Sequence, residues 1–376
     1  MNVIFTCGGT GGHINPAIAV ANVIRERHPE SNILFIGAKG HMEEQLVPKA
    51  GFDLKCLNVS GMSRGKSWSA IKKNLQTVAN TVKAVNECKK IIRQFQPDVI
   101  LGTGGYACFP ALMAGAKLGI PTCIHESNAI PGLTTKMLAN HVDKVLIAFA
   151  ESAKHYKNTD RLETVGMPVR REFVFNDRQA ARKELGIKDE PLVVSAFGSL
   201  GAKAMNETVA ELFKLEKDAG FPFRHIHATG KFGWEWMPEK VASHGVSLAE
   251  SPAIDMREYI YNMPTLMAAA DVFISRAGAS SCNELAATGT PCILIPSPNV
   301  AANHQEKNAR VLADKGGAVL VLEKECTADR LFKEVMGLLQ APERMESMAT
   351  ALRSLVVLDS ADRICDIMEE MARNRS

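Results

Sequence analysis

Short apolar runs of three to six residues alternate along this chain with longer stretches whose apolar positions recur at helical spacing. The runs at 3–6, 33–36, 54–59, 99–101, 122–125 and 144–148 are too short for buried helices and predict strands. Between them, residues up to about 27, then 42–50, 68–95, 110–118 and 133–140, predict helices. The fourth of these opens on Pro110, which at a first helical position forfeits no hydrogen bond. The cycle breaks at Gly166-Met167-Pro168-Val169-Arg170 and restarts at 192–196. It continues through strands at 224–228, 272–274, 292–295 and 318–321. A final amphipathic helix from about 353 to 372 directs Leu355, Ile364, Ile367 and Met368 inward. Such alternation with short connections predicts parallel sheets covered by helices on both faces. The 376 residues exceed one ordinary core. The expected fold is α/β, two Rossmann-like domains facing across a cleft: 1–165, joined by the terminal helix at 353–376, and 166–352.

Composition narrows the class. With 46% hydrophobic and 23% charged residues the chain is of soluble globular type. The first strand starts at Asn2, leaving no room for a signal peptide, and no apolar run reaches the ~18 residues of a membrane span. Nine cysteines without a C-x-x-C pair suggest neither a disulfide framework nor a zinc site, so a reducing cytoplasm is expected. The net charge of +3 is unevenly spread: residues 62–95 carry +7 and the remainder −4. Nucleic acid, anionic lipid or an anionic substrate would each account for such a patch.

The candidate chemistry lies in glycine-rich turns. Cys7-Gly8-Gly9-Thr10-Gly11-Gly12-His13 and, about 270 residues on, Ser275-Arg276-Ala277-Gly278-Ala279-Ser280-Ser281-Cys282-Asn283-Glu284 each follow an apolar strand and open a helix. That arrangement brings free backbone N–H groups and a positive dipole end to one point, an anion site usually taken by phosphate. The first turn lacks the Lys-Ser/Thr of a Walker motif and the third glycine of G-x-G-x-x-G, so neither ATP hydrolysis nor a dehydrogenase is favoured. Gly104-Gly105-Tyr106 and His125-Glu126-Ser127-Asn128 end two more strands of the first half, where open α/β sheets bind ligands. Gly198-Ser199-Leu200-Gly201 does so in the second. Gly278 and Ser280 open the helix that would receive a diphosphate. Glu284 lies within its first two turns, placed to accept from both ribose hydroxyls, and Gln305 and Asn308 belong to a polar segment suited to a sugar. No Asp-x-Asp is present, so no divalent metal is expected.

Together these segments, with Asn15-Pro16, Gly289, Pro291 and Asn303 to Asn308, closely resemble the MurG-type UDP-N-acetylglucosamine transferases of peptidoglycan synthesis, in the same order along nearly the whole chain. The resemblance implies a GT-B fold and an inverting transfer of N-acetylglucosamine from UDP-N-acetylglucosamine to the 4-hydroxyl of lipid I, giving lipid II, with no cofactor. It places Thr10, Gly11, Gly12, Asn128, Arg170, Ser199, Ile260 and Gln305 on the donor and Glu284 on its ribose, with the lipid-linked acceptor on the first domain, beside Gly104, Gly105 and Tyr106. Phe197, Met167 and Ser127 depart from the pattern, where glycine, Asn and Gln are common. A general base near neutral pKa is wanted, and His13 is the first candidate; Glu126 is the second, as base or as orienter. A related glycosyltransferase with another acceptor, a UDP-sugar 2-epimerase and a non-catalytic nucleotide-binding scaffold are the competing readings.

The acceptor's polyprenyl tail lies in a bilayer, so a peripheral protein on the cytoplasmic face is expected, with no nucleic-acid partner. Trp68, Ile71, Leu75, Val78, Val82 and Val85 recur at helical spacing beside Lys72 and Lys73. Trp68, Ile71 and Leu75 are expected to touch an anionic inner leaflet, and the later residues to pack inward.

Overall fold

The computed structural model describes residues 1–59, 68–300 and 303–374, and within them all side chains but those of 68–76 and 78. The chain divides into two compact units, Met1–Arg170 with Val357–Ser376 and Arg171–Val356.

The first unit runs β1 (Asn2–Thr6), α1 (Gly11–Arg27), β2 (Asn32–Ala38), α2 (Glu43–Lys49), β3 (Asp53–Leu57), α3 (Trp68–Phe95), β4 (Val99–Gly102), α4 (Cys108–Lys117), β5 (Thr122–Glu126), α5 (Leu133–Leu138), β6 (Lys144–Ile147) and β7 (Leu162–Thr164). All pairings are parallel, in the order β3-β2-β1-β4-β5-β6-β7. Alternate residues of β1 feed two cores. Val3 and Phe5 pack with Ile14, Val20 and Ile24 of α1, while Ile4 packs with Ile92 and Leu112.

The second unit runs α6 (Arg171–Val174), α7 (Arg178–Glu184), β8 (Leu192–Ala196), α8 (Lys203–Asp218), β9 (Arg224–Ala228), α9 (Met237–Ser243), β10 (Ile254–Arg257), α10 (Met263–Ala269), β11 (Val272–Ser275), α11 (Ala279–Thr288), β12 (Cys292–Leu294), α12 (His304–Asp314), β13 (Ala318–Leu320), α13 (Ala328–Leu339) and α14 (Pro342–Arg353). Its sheet is parallel in the order β10-β9-β8-β11-β12-β13. In each unit the strand order reverses beside the first strand, between β1 and β4 and between β8 and β11. Connections there leave on opposite faces and open a crevice at the strands' carboxyl ends.

The chain then returns to the first unit as α15 (Ser360–Arg373), whose Ile364, Cys365 and Met368 are buried in the α1-side core. Arg27 at the end of α1 meets Asp362 at 2.8 Å and Asp366 at 2.5 Å, and His28 Nε2 lies 3.1 Å from Glu369. The buried side chains supply most of the hold, since such exposed pairs are each worth about 0–1 kcal/mol.

Three sequence expectations are corrected. The terminal helix starts at Ser360, because α14 ends at Arg353 and Leu355 lies in the connection between them. Pro110 is the third residue of α4, still within the first turn, where helical N–H groups have no intrahelical acceptor. On α3, Val82 is 58% exposed and the buried line is Ala84, Cys88, Ile91 and Ile92, the face packed in the α4-side core. Trp68, Ile71, Lys72, Lys73 and Leu75 lie outside the described side chains. Among the described residues no helix is long and apolar enough to cross a membrane.

Candidate active site

At the first unit's reversal point two glycine loops meet backbone to backbone. Gly105, at φ +93°, lies so close to Gly8 that a Cβ would stand 2.3 Å from the Gly8 carbonyl oxygen. Gly104, at φ +113°, leaves room for the His13 ring, which a Cβ would meet at 2.5 Å. Thr103 Oγ1 donates to the His13 carbonyl at 2.6 Å, fastening the two loops. Thr10 caps α1 through its backbone only, leaving the first-turn N–H groups of Gly11 and Gly12 uncapped by any side chain. His13 Nδ1 is 3.1 Å from the Gly8 carbonyl oxygen. A carbonyl only accepts, so Nδ1 carries the proton, and the neutral ring then has its lone pair on Nε2.

The end of β5 supplies the next group. His125 is buried and donates from Nε2 to the Gly166 carbonyl at 2.8 Å, and burial holds its pKa below the ordinary value, so it stays neutral. Glu126 is also buried, and both its oxygens are engaged. Oε1 accepts from the backbone and side-chain amides of Asn128 at 3.0 Å each, and Oε2 accepts from Gly132 N at 2.9 Å. This geometry suits an orienter of Asn128 better than a base. Tyr106 is 49% exposed beside the glycine pair. Arg170, the last residue of the unit's first segment, is part-buried.

The second unit also presses one loop on another, here those after β8 and β9, one strand away from its reversal point. Gly201, at φ +80°, lies against Thr229, where a Cβ would come within 2.0 Å of the carbonyl oxygen. Lys231 N donates to Ser199 O and Phe232 N to Leu200 O, both at 3.1 Å, and Ser199 stays exposed. Phe197, where glycine is common, turns into the core. Across the reversal point Gly278 caps α11 with neither a side-chain cap nor an acid in its first turn. The Ser280 hydroxyl oxygen is buried there with no partner among the described residues. Glu284 stands part-exposed on the same helix. Arg276 turns inward to Ile295 O and Glu323 and braces the turn. Asn308 Nδ2 reaches Ala277 O at 3.3 Å, and Gln305 Oε1 accepts from Ser297 N at 2.8 Å, so both tie α12 to the neighbouring loops. Ile260 is buried in the connection after β10.

Two features escaped the sequence reading. Glu43 is fully buried beneath the first glycine turn, accepting from Gly9 N at 3.0 Å and Ala38 N at 2.8 Å. Next to Glu44 it resembles an ordinary acidic first turn, and nothing in the sequence marks it out. The other is a buried set, Ser195, Glu216, His225 and His227, signalled only by histidines at alternate positions of an apolar strand.

Residues 3–147 match the N-terminal domain of glycosyltransferase family 28 and residues 192–364 its C-terminal domain. In fold the chain is similar to the crystal structure of Acinetobacter baumannii MurG, with TM-score 0.75 and 24% identity, covering 98% of this chain and 99% of that one. It is also similar to a putative UDP-N-acetylglucosamine 2-epimerase from Listeria monocytogenes, with TM-score 0.67 and 14% identity over 96% and 94% of the two chains. Fold and site thus define a two-domain glycosyltransferase of the GT-B class. At 42% identity over the full length of both chains it is similar to the UDP-N-acetylglucosamine–N-acetylmuramyl-(pentapeptide) pyrophosphoryl-undecaprenol N-acetylglucosamine transferase of Acetivibrio thermocellus. A 36% identical relative of the same name, covering 99% of this chain and all of its own, is found in Bacillus cytotoxicus. The chain belongs to this family, the MurG transferases.

Glu43 generates a prediction of its own. Glu43→Ala leaves two backbone N–H groups without their acceptor, at about 1–3 kcal/mol for each. Urea unfolding of the purified protein should show that loss, with Glu43→Gln losing less because it keeps one acceptor. An unchanged midpoint for the alanine variant would refute the role.

Proposed function

We propose that this protein moves N-acetylglucosamine from UDP-N-acetylglucosamine to the 4-hydroxyl of the muramyl sugar of lipid I, yielding lipid II and UDP. The single observation that carries the mechanism is the 3.1 Å contact of His13 Nδ1 with Gly8 O, which in the neutral ring puts the proton on Nδ1 and leaves the lone pair on Nε2. The acceptor oxygen attacks the anomeric carbon, its proton passes to His13 Nε2, and the bond from that carbon to the diphosphate oxygen breaks. Attack opposite the leaving group inverts an α-linked donor to a β-linked product. Glu126 holds Asn128 for its contact with the donor. The acceptor sugar belongs to the first unit, beside Gly104, Gly105 and Tyr106.

The donor belongs mainly to the second unit. Its diphosphate rests at the N-terminus of α11, on the N–H groups after Gly278 and the Ser280 hydroxyl, with Ser199 and Arg170 adding donors. Thr10, Gly11 and Gly12 are further donor-binding residues. Charge growing on the departing diphosphate is met by fixed dipoles, which require no reorganisation during the reaction. Glu284 takes the ribose, and Gln305, Asn308 and Ile260 complete the donor side.

The basic segment at 62–95 brings the protein to the anionic inner leaflet, where the acceptor's lipid is anchored. Each basic residue near such a surface contributes roughly 1 kcal/mol, so four or five give reversible, salt-sensitive attachment. Trp68, Ile71 and Leu75 add apolar contact.

UDP release should require lipid I and UDP-N-acetylglucosamine together. Turnover without lipid I would favour a 2-epimerase or hydrolase, and binding without turnover a scaffold. In the same assay His13→Ala should lower kcat by roughly 10²–10⁴-fold while calorimetric donor affinity survives; a fall below about tenfold would move the base elsewhere.

Glu284→Ala should weaken UDP binding by about 1–3 kcal/mol, the scale of hydrogen bonds to a charged group. Unchanged affinity would remove Glu284 from the site.

For the membrane, sedimentation with liposomes should show binding that depends on anionic lipid and drops when Lys72 and Lys73 are both changed to Glu. Equal binding to neutral vesicles would contradict the electrostatic attachment.

A further inference from the structure

Beneath the donor-side loops lies a buried hydrogen-bonded chain that the transfer chemistry does not use. Glu216 Oε1 on α8 is 2.7 Å from His225 Nδ1, His225 Nε2 is 2.8 Å from Ser195 Oγ, and Ser195 Oγ is 2.7 Å from His227 Nδ1. All four residues have no solvent exposure. The order of groups resembles a hydrolytic Ser-His-Glu set, but a nucleophile sealed in a core has no substrate. Glu216 Oε2 and His227 Nε2, the two ends, have no partner among the described residues.

Its position gives it a use. Ser195 and His227 are opposed in the β8–β9 register, each three residues before a glycine of the donor-side frame, Gly198 and Gly230. Above them the frame closes through Gly201 on Thr229, the bonds from Lys231 and Phe232 to Ser199 and Leu200, and Asn206 Nδ2 on Thr229 O at 2.8 Å. Ser195 of β8 bonds to both histidines of β9 and so ties the two strands together just before their loops.

We propose that Ser195, His225, His227 and Glu216 are positioning residues for UDP-N-acetylglucosamine, holding the paired loops at 198–202 and 229–232 in register through three buried hydrogen bonds. The proposal rests on the donor-site reading above. Removing one member leaves its partners as buried polar groups without hydrogen bonds, and the two strand ends are then free to shift against each other.

Apart from the buried thiol of Cys326, the rest of this face is apolar among the described residues. From β10, Ile254 and Met256 lie opposite the histidines, whereas Asp255 and Arg257 point to the other face and pair with each other. From β11 come Val272 and Ile274. Phe213 and Leu212 of α8, Met237 and Val241 of α9, and Leu331 and Val335 of α13 complete the buried surroundings. Glu239 and Lys240 of α9, and Arg330 and Glu334 of α13, are all at least part-exposed.

The test is kinetic, at pH 7.5 with saturating lipid I. Ser195→Ala should raise KM for UDP-N-acetylglucosamine about tenfold with kcat and the lipid I KM within about twofold, and Ser195→Thr, which keeps the hydroxyl, should restore it. Calorimetric affinity for the same donor should fall in parallel, about tenfold in Ser195→Ala and less than about twofold in Ser195→Thr. Native-like KM in Ser195→Ala overturns the proposal and leaves the donor site standing. Failure of the native protein to bind the donor overturns both. If Ser195→Ala does not fold, His227→Leu, which removes the partner of Ser195, should raise the same KM about tenfold, and His227→Asn, which keeps a polar group at the Nδ1 position, should not; equal values in the two overturn the proposal.

Discussion

Both candidate half-sites depend on backbone touching backbone. In each unit a loop leaving the first strand is pressed against a loop leaving a neighbouring strand, at distances that exclude even a methyl group: Gly105 on Gly8, Gly201 on Thr229. Left-handed backbone at these positions would strain any other residue, and a Cβ would push the loops apart. What the contact secures in each unit is a loop held fast at the carboxyl end of its strand, just before the start of α1 or α8. In the first unit the contact spans the reversal between β1 and β4, where adjacent connections diverge and leave space at the strand ends; in the second it joins the loops after β8 and β9, on the other side of β8 from the reversal.

The two units use one plan to different ends. In the first, the close approach leaves a histidine ring in the gap made by Gly104 and fixes its tautomer through Gly8. In the second, the corresponding loops carry hydroxyls and an uncapped helix, which suit an anion. Underneath, each frame is braced by buried polar groups. Glu43 braces the first through two backbone N–H groups, and the serine and histidines of β8 and β9 brace the second. The burial of these groups is tolerable because almost every polar atom has a partner.

The fold was legible from sequence where local rules decide it. Short apolar runs ended by glycine gave the strands around both reversal points, and glycine spacing gave the loops, because the requirement for no side chain leaves a mark that other residues cannot imitate. Legibility failed where a residue's role comes from distant chain. Glu43 looks like any acid in a first helical turn until α2 is set under Gly9. Val82 fits an apolar stripe, yet packing in the α4-side core selects Ala84, Cys88 and Ile91 instead. The alternating histidines of β9 were visible, but their partners come from β8 and α8. The short edge strands β7 and β10 carry charged residues such as Glu163, Asp255 and Arg257 and lack the apolar run that marks the others.

The return of α15 to the first unit has a consequence for the order of folding. The second unit is one uninterrupted segment, whereas the first is closed by residues made after it, with Arg27 meeting a carboxylate 335 residues away in sequence. As the chain leaves the ribosome, the interrupted unit must wait with the apolar groove of α1 uncovered while the inserted one completes itself. Ordering the second unit first shortens the effective loop that α15 has to close, so the entropy of that long closure is reduced before it is incurred. Until its final helix docks, the first half of the protein is the aggregation-prone part, although it is the older part of the chain.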